Sequence, residues 1–252
     1  MLVILPPSEA KRDGGDGAPL DVSGLAFPAL SPRRRTLVRA VRALARDTEA
    51  AMAALRLGPK QHGEVARNRA LTTSPTMPAL DRYAGVIFDA LDAASLPEEA
   101  RSFAHEHLVV HSALLGPVAA LDDVPAYRMS HDSRLPELSL KRHWGDTISR
   151  QLARVPGLIV DMRSEGYAAL GPAPVRPGSV YLRVLTEGLD GRQRALNHFN
   201  KKAKGELVRA LLLHGRDLAS VDDLVAWASA AGFRVQPHRK GAEGAAEIAL
   251  IV

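Results

Sequence analysis

Short apolar runs constrain this chain more than any other feature. They lie at residues 1–5, 108–110, 157–161, 180–185 and 246–252. Each is too brief for a self-buried helix and each is stopped by turn or breaker residues, so each reads as a buried strand. Between them the apolar positions recur at helical spacing, and strands interleaved with helices predict an α/β fold. A length of 252 residues suffices for one large domain or two small ones.

The segments just past the strands are polar and specific. Residues 1–5 read as a central strand that Pro6, Pro7 and Ser8 stop, with Glu9, Lys11 and Arg12 on the loop beyond. After the run at 108–110 come Gly116, Pro117, Asp122, Asp123 and Pro125 as turn and breaker residues, and then Tyr127 and Arg128 together. The run ending at Asp161 delivers Ser164 and Tyr167 onto a loop. Strand ends that run into such loops are where α/β proteins place ligand-contacting groups. The plainer alternatives are a solvated turn at 9–12, an Arg128 paired with Asp122 or Asp123, and a Ser164 that caps a helix.

The helical segments carry the basic charge. From Arg35 to Leu57 one face holds Leu37, Val38, Val41, Leu44, Ala45, Met52 and Leu55, which predicts one helix. Arg35, Arg39, Arg42 and Arg46 fall opposite, as a row that could track phosphates or simply face solvent. Gly58-Pro59 breaks this helix, and residues 60–69 read as a turn and a short basic helix, the outline of a helical hairpin. Pro97, Glu98 and Glu99 open a helix that feeds the His107 segment, and another begins near Leu140 and carries Trp144. Asp190-Gly191 signals a turn with a return strand through Phe199. In the next helix, Lys201, Lys202 and Arg209 share one flank. Lys204 sits with Leu207, Val208 and Leu211 on the apolar face, where it must snorkel, pair, or work with a lowered pKa. Asp217 or Ser220 caps the next helix, 221–231.

Composition excludes several classes. No run approaches the ~18 apolar residues of a membrane span, and the N-terminus reads as a first strand instead of an export signal, so a cytoplasmic protein is expected. The chain has no cysteine, which removes disulfides, thiol nucleophiles, iron–sulfur clusters and cysteine-bound zinc. His105, His107 and His111 lie close together, but period-two histidines are no recognised ligand set, so neither metal nor cofactor is expected. The net charge of +5 favours anionic partners.

Five motifs in order resemble one family. They are Pro-Pro-Ser-Glu-Ala-Lys at 6–11, the His107 segment through Leu121-Asp122 to Tyr127-Arg128, and Trp144-Gly145-Asp146. The others are Val160-Asp161 with Ser164 and Tyr167, and Lys201-Lys202-Ala203-Lys204-Gly205. Together they resemble the YaaA family of peroxide stress proteins. Departures fall at Ala113, Leu115, Ala119, Ala120 and Gly166, and at Gly85-Val86-Ile87-Phe88. The resemblance implies a single domain over 1–252 with a mixed sheet flanked by helices. It also implies a helix-hairpin-helix-like element in the basic segment 33–70, a positively charged cleft, DNA binding and a role in limiting iron-driven oxidative damage.

Two functional expectations emerge. One places duplex DNA along Arg39, Arg42, Arg46, Lys60, Arg67, Lys201 and Lys202, through phosphate contacts that do not read sequence. The other is an enzyme pocket for a nucleotide or a small phosphorylated or carboxylated anion. Its binding groups would be Ser8, Lys11, Tyr127, Arg128, Trp144, Ser164, Lys201 and Lys202, with Asp161, Tyr167 and Lys204 as candidate catalytic groups. The expected state is a monomer.

Overall fold

The computed structural model describes residues 1–187, 193–194, 197–238 and 246–252. The first apolar run forms β1 (Leu2–Leu5), buried along its whole length. Helices α1 (Ser31–Leu44), α2 (Thr48–Leu55) and α3 (Gly63–Arg69) come after it. Next are the short strand β2 (Thr76–Pro78) and helices α4 (Ala79–Arg82), α5 (Val86–Leu91) and α6 (Glu98–His107). Strands β3 (Leu108–Ser112), β4 (Gly116–Ala119) and β5 (Asp123–Pro125) precede α7 (Leu140–Trp144) and α8 (Thr147–Leu152). The remainder is β6 (Ile159–Asp161), α9 (Glu165–Ala168), β7 (Ser179–Glu187), β8 (Gln193–Arg194), α10 (Asn197–His214), α11 (Val221–Ala230), β9 (Arg234–Pro237) and β10 (Ala246–Ile251).

The sheet is mixed, in the order β4-β3-β1-β6-β7-β10-β9, with β8 paired to the end of β7. Strands β3, β1, β6, β7 and β10 are parallel, and β4 and β9 add antiparallel edges. Register pairs Ile4 with Val109 on one side and with Asp161 on the other. The loop after β1 therefore leaves the sheet between the loops after β3 and β6. A single large cluster of buried apolar side chains runs from Met1 to Leu250. Among the described residues no helix is long and apolar enough to cross a membrane.

Several expectations are corrected. The helix expected over 35–57 is two, because the Asp47 carboxylate accepts a hydrogen bond from the Ala50 amide at 3.1 Å and starts α2 afresh. Gly116 and Pro117, read as breakers, lie in β4; proline is tolerated there because β4 is an edge strand. The return strand expected through Phe199 is described only at Gln193–Arg194, and α10 has begun by Asn197. The Asp190-Gly191 turn lies outside the described residues. Ser220, not Asp217, caps α11, exchanging bonds of 3.1 and 3.0 Å with Asp223. The final run forms β10, between β7 and a strand, β9, that the sequence reading did not expect.

Gly205 fixes how α10 meets α5. A Cβ there would lie 2.3 Å from the Ile87 carbonyl oxygen and 2.8 Å from the Ala90 Cβ. Backbone cannot yield that much, so the small residue in Lys-Lys-Ala-Lys-Gly is a packing requirement that seats Lys201 and Lys204. Gly205→Ala is expected to destabilise the fold by about 1–3 kcal/mol through overpacking, read as a lower urea midpoint. The conservative exchange Glu206→Gln, at an exposed position one residue on, should leave the midpoint nearly unchanged.

Candidate functional site

The segment leaving β1 builds one wall of the site. Lys11 joins Tyr83 in an isolated antiparallel bridge, and its side chain turns back so that Nζ donates to the carbonyls of Ser8 (2.9 Å) and Glu9 (3.3 Å). The ammonium lies 4.0 Å from the Tyr127 ring centroid and 5.2 Å from that of Tyr83. Burial, and secondarily the Arg128 charge, lower its pKa to about 7.

Behind the lysine runs a chain of hydroxyls. Tyr127 Oη is 2.6 Å from Ser112 Oγ and 2.7 Å from Tyr83 Oη. Ser112 Oγ already accepts from the Leu114 and Leu115 amides, so its own proton goes to Tyr127. Burial pushes both phenols above the ordinary tyrosine range. Arg128 pairs with Glu9, not with Asp122 or Asp123, while its backbone is held by Asn68.

The loop after β6 supplies a second wall. Asp161 is 4% exposed and is held by Arg163: Oδ1 accepts from the Arg163 amide (3.0 Å) and Nε (2.8 Å), Oδ2 from Nη2 (2.6 Å). Arg163 Nη1 also donates to His111 Nδ1 at 2.5 Å and to the Gly171 carbonyl at 2.9 Å. A guanidinium can only donate, so Nδ1 is an acceptor and the imidazole proton sits on Nε2. Burial and the Arg163 charge keep this histidine neutral. Asp161 therefore anchors an arginine, and it also lines a second cavity, beside the one between the two walls. Among the described residues no group of three or more His, Asp or Glu is placed to hold a metal ion.

Between these walls opens a cavity of about 800 Å³ at the carboxyl edge of the parallel strands. Ser8 and Glu9 line it from the β1 loop, Ser164 from the residue before α9 and Tyr167 from α9, Tyr181 and Arg183 from β7, and Asn200, Lys201 and Lys204 from α10. Lys204 Nζ donates to the Met162 carbonyl at 2.8 Å. Burial lowers its pKa to about 8; Asp161 pushes it up and Arg183 down. This lysine does not snorkel away from the apolar face, because the strand end it reaches offers a carbonyl and the open cavity.

Five of the expected residues thus converge on one cavity: Ser8, Ser164, Tyr167, Lys201 and Lys204. Lys11, Tyr127 and Arg128 support its β1 wall from behind. Two do not belong. Trp144 is fully buried in the core, its indole N–H donating to the Ala113 carbonyl at 3.0 Å, because α7 packs inward. Lys202 faces solvent and pairs with Glu206 at 3.3 Å. Arg183, His131, Asn200 and Arg163 were not foreseen. A signal for Arg183 was present in the alternation Val180, Tyr181, Leu182, Arg183, Val184, which turns Tyr181 and Arg183 to one face. His131 owes its place to Gly166, where a Cβ would lie 2.5–2.9 Å from the imidazole ring; the ring meets Tyr167 edge-on at 4.9 Å.

The basic row lies elsewhere. Arg39, Arg42, Arg46 and Lys60 are exposed, whereas Arg67 is neutralised by Glu64 at 3.0 Å and Asp13 at 2.8 Å. Arg34, in the same arginine run, is fully buried with its guanidinium on the carbonyls of Leu115, Ala26 and Pro117.

The lowered lysine has a thermodynamic signature. The folded state releases the Lys11 proton near pH 7 and the unfolded chain near the usual lysine value of 10.5. Between them the unfolded chain binds more protons, so stability rises with pH across that window. Lys11→Met should flatten this rise; urea midpoints at pH values within and below the window check it, and an unchanged slope would refute the burial of a titrating Lys11.

Comparison with known proteins places the chain. A family model described as peroxide stress protein YaaA matches residues 1–239. A UPF0246 protein of Corynebacterium glutamicum is 42% identical over 243 residues, covering 94% of this chain and 96% of the relative. One of Streptomyces coelicolor is 38% identical over 244 residues, covering 94% and 92%. A more distant one of Lactobacillus delbrueckii is 29% identical over 173 residues, covering 67% and 69%. The order of motifs along the strand ends and the match over nearly the whole chain lead to one assignment: this protein belongs to the YaaA (UPF0246) family of peroxide stress proteins.

Proposed function

We propose that this protein serves the peroxide stress response by binding a small anionic ligand in the cavity at the carboxyl edge of its sheet. One observation carries the reading: Lys204, Lys201 and Arg183 face a cavity of about 800 Å³, and Lys204 is desolvated so that its charge is poised near neutrality. Such an amine holds an anion as the ammonium and accepts a proton as the free base. Ser8 and Ser164 add hydroxyl donors, and Tyr167, kept protonated by burial, adds a phenol. Glu9 does not repel an anion strongly, because Arg128 neutralises it.

Sulfate, whose charge is constant near neutral pH, is the first probe for calorimetric titration. Its affinity is expected to fall as pH rises through about 8, where Lys204 loses its proton. Lys204→Met should weaken binding about tenfold or more, the scale of one charge-assisted contact. Affinity indifferent both to pH and to this substitution would sink the proposal.

A second reading, duplex DNA along the outer face of α1, is favoured by a separate observation. Arg39, Arg42 and Arg46 are exposed, and among the described residues no carboxylate pairs with them. DNA binding measured across a salt series should give a log–log slope that Arg39→Ala/Arg42→Ala makes shallower by about two phosphate contacts. An unaltered slope would remove the row from any DNA interface.

A further inference from the structure

A second cavity of about 700 Å³ adjoins the first and shares Glu165, Tyr181 and Arg183 with it. Its character is different. Ala168, Ala169, Pro172, Pro174 and Val175 give it an apolar wall, and Val175 is 63% exposed. Its polar lining includes four carboxylates, Asp146, Asp161, Glu247 and the shared Glu165, beside the hydroxyls of Ser149 and Ser179, with Lys141 joining from the exposed side. Lys201 and Lys204 belong to the first cavity alone.

The partition between them is built to hold and to open. Glu247 is buried and grips Arg183 through two bonds, 2.7 Å to Nε and 3.0 Å to Nη2. The third bond, Arg183 Nη1 to Glu165 at 3.2 Å, involves a carboxylate that is 79% exposed, and an exposed pair is worth little. Arg183 therefore keeps its position while Glu165 can yield to a ligand. The guanidinium also lies 5.2 Å above the Tyr181 ring, which lines both cavities. A third group points to what crosses. Among the described residues Asn200 Oδ1, buried in the wall of the first cavity, meets no hydrogen-bond partner and is an acceptor open to a donor.

We infer that the two cavities form one bipartite site for a nucleoside monophosphate. The phosphate is held by Lys201, Lys204 and Arg183, a sugar hydroxyl donates to Asn200 Oδ1, and the base enters the second cavity. There the flat ring lies against the alanine and proline wall, and its N–H groups meet the carboxylates of Asp146 and Glu165. Both volumes lie in the range of small-molecule pockets. This assignment rests on the anion reading of the first cavity and adds the class of the group attached to the anion.

The test compares ribose 5-phosphate with adenosine and cytidine 5′-monophosphates by calorimetry. Wild type is expected to bind at least one nucleotide tenfold or more tightly than ribose 5-phosphate. Ser149→Trp, which fills the second cavity, should abolish that advantage and leave ribose 5-phosphate binding intact. Val175→Asp, at an exposed position that spares the core, should reduce the advantage as well. Lys204→Met should weaken every phosphorylated probe. Nucleotides binding no better than ribose 5-phosphate would overturn the bipartite site while leaving the anion pocket standing. Failure of all phosphorylated probes and of sulfate would overturn the anion pocket itself. A nucleotide advantage that survives both Ser149→Trp and Val175→Asp would place the base elsewhere and equally overturn the inference.

Discussion

Three guanidinium groups, each fully buried, hold the loops of this protein in place: Arg34, Arg82 and Arg163. A buried arginine must donate its protons to something, and here the acceptors are mainly main-chain carbonyls. Arg34 ties the end of the β3–β4 turn to the segment before α1. Arg82 binds Val124, Gly14 and Pro75, joining β5 to the loop after β1 and to the approach to β2. Arg163 clamps Asp161, His111 and Gly171 beneath the cavity. The long connections of this chain are ordered by such clamps. Of the three, the Arg163 clamp carries its own counter-charge in direct contact, and removing one partner from a pair so buried costs about 3–5 kcal/mol.

The same desolvation that makes these clamps demanding tunes the site. Lys11 and Lys204 approach the cavity from different elements, one from the β1 loop and one from α10, and both end on main-chain carbonyls of strand-exit segments. Among the described residues neither meets a carboxylate directly. A buried ammonium satisfied by neutral acceptors keeps its hydrogen bonds but loses its hydration, so its pKa falls. The sheet edge thus holds two amines that titrate near neutrality, one exposed to the cavity and one sealed behind its wall. Their placement arises from β1 and β6 being neighbours in the sheet.

Much of this was legible before the structure. The apolar runs at 1–5, 108–110, 157–161, 180–185 and 246–252 each hold a strand, because runs this short between turn and breaker residues are too brief for a helix. Ser8, Ser164 and Tyr167 were legible as site candidates from their place past strand ends, and Lys204 from its place on the apolar face of a helix, with Lys201 one turn before it. The illegible parts share a cause. Arg34 stands in the run Arg33-Arg34-Arg35, and nothing local distinguishes the one that turns inward. Trp144 looked like a ligand contact, but an indole needs only one acceptor to be at home in a core, and Ala113 supplies it. The break at Asp47 competes with a helical periodicity that continues through it, and the cap wins. Positive charge was the least informative signal, because part of the arginine count is structural.

The departures from the motifs that the resemblance rests on sort by location. Ala113, Leu115, Ala119 and Ala120 are all buried in the core around β3 and β4, where side chains trade volume with neighbours such as Trp144. Gly166 and the segment Gly85-Val86-Ile87-Phe88 are different. The latter lines the first cavity, and the former admits His131 to it. A larger residue at 166 would need the space that the imidazole fills, so the choice at 166 decides which side chain faces Tyr167. Residue size at 166 thus governs how His131 packs against Tyr167 in the wall of the first cavity, whereas positions 113, 115, 119 and 120 lie buried around β3 and β4.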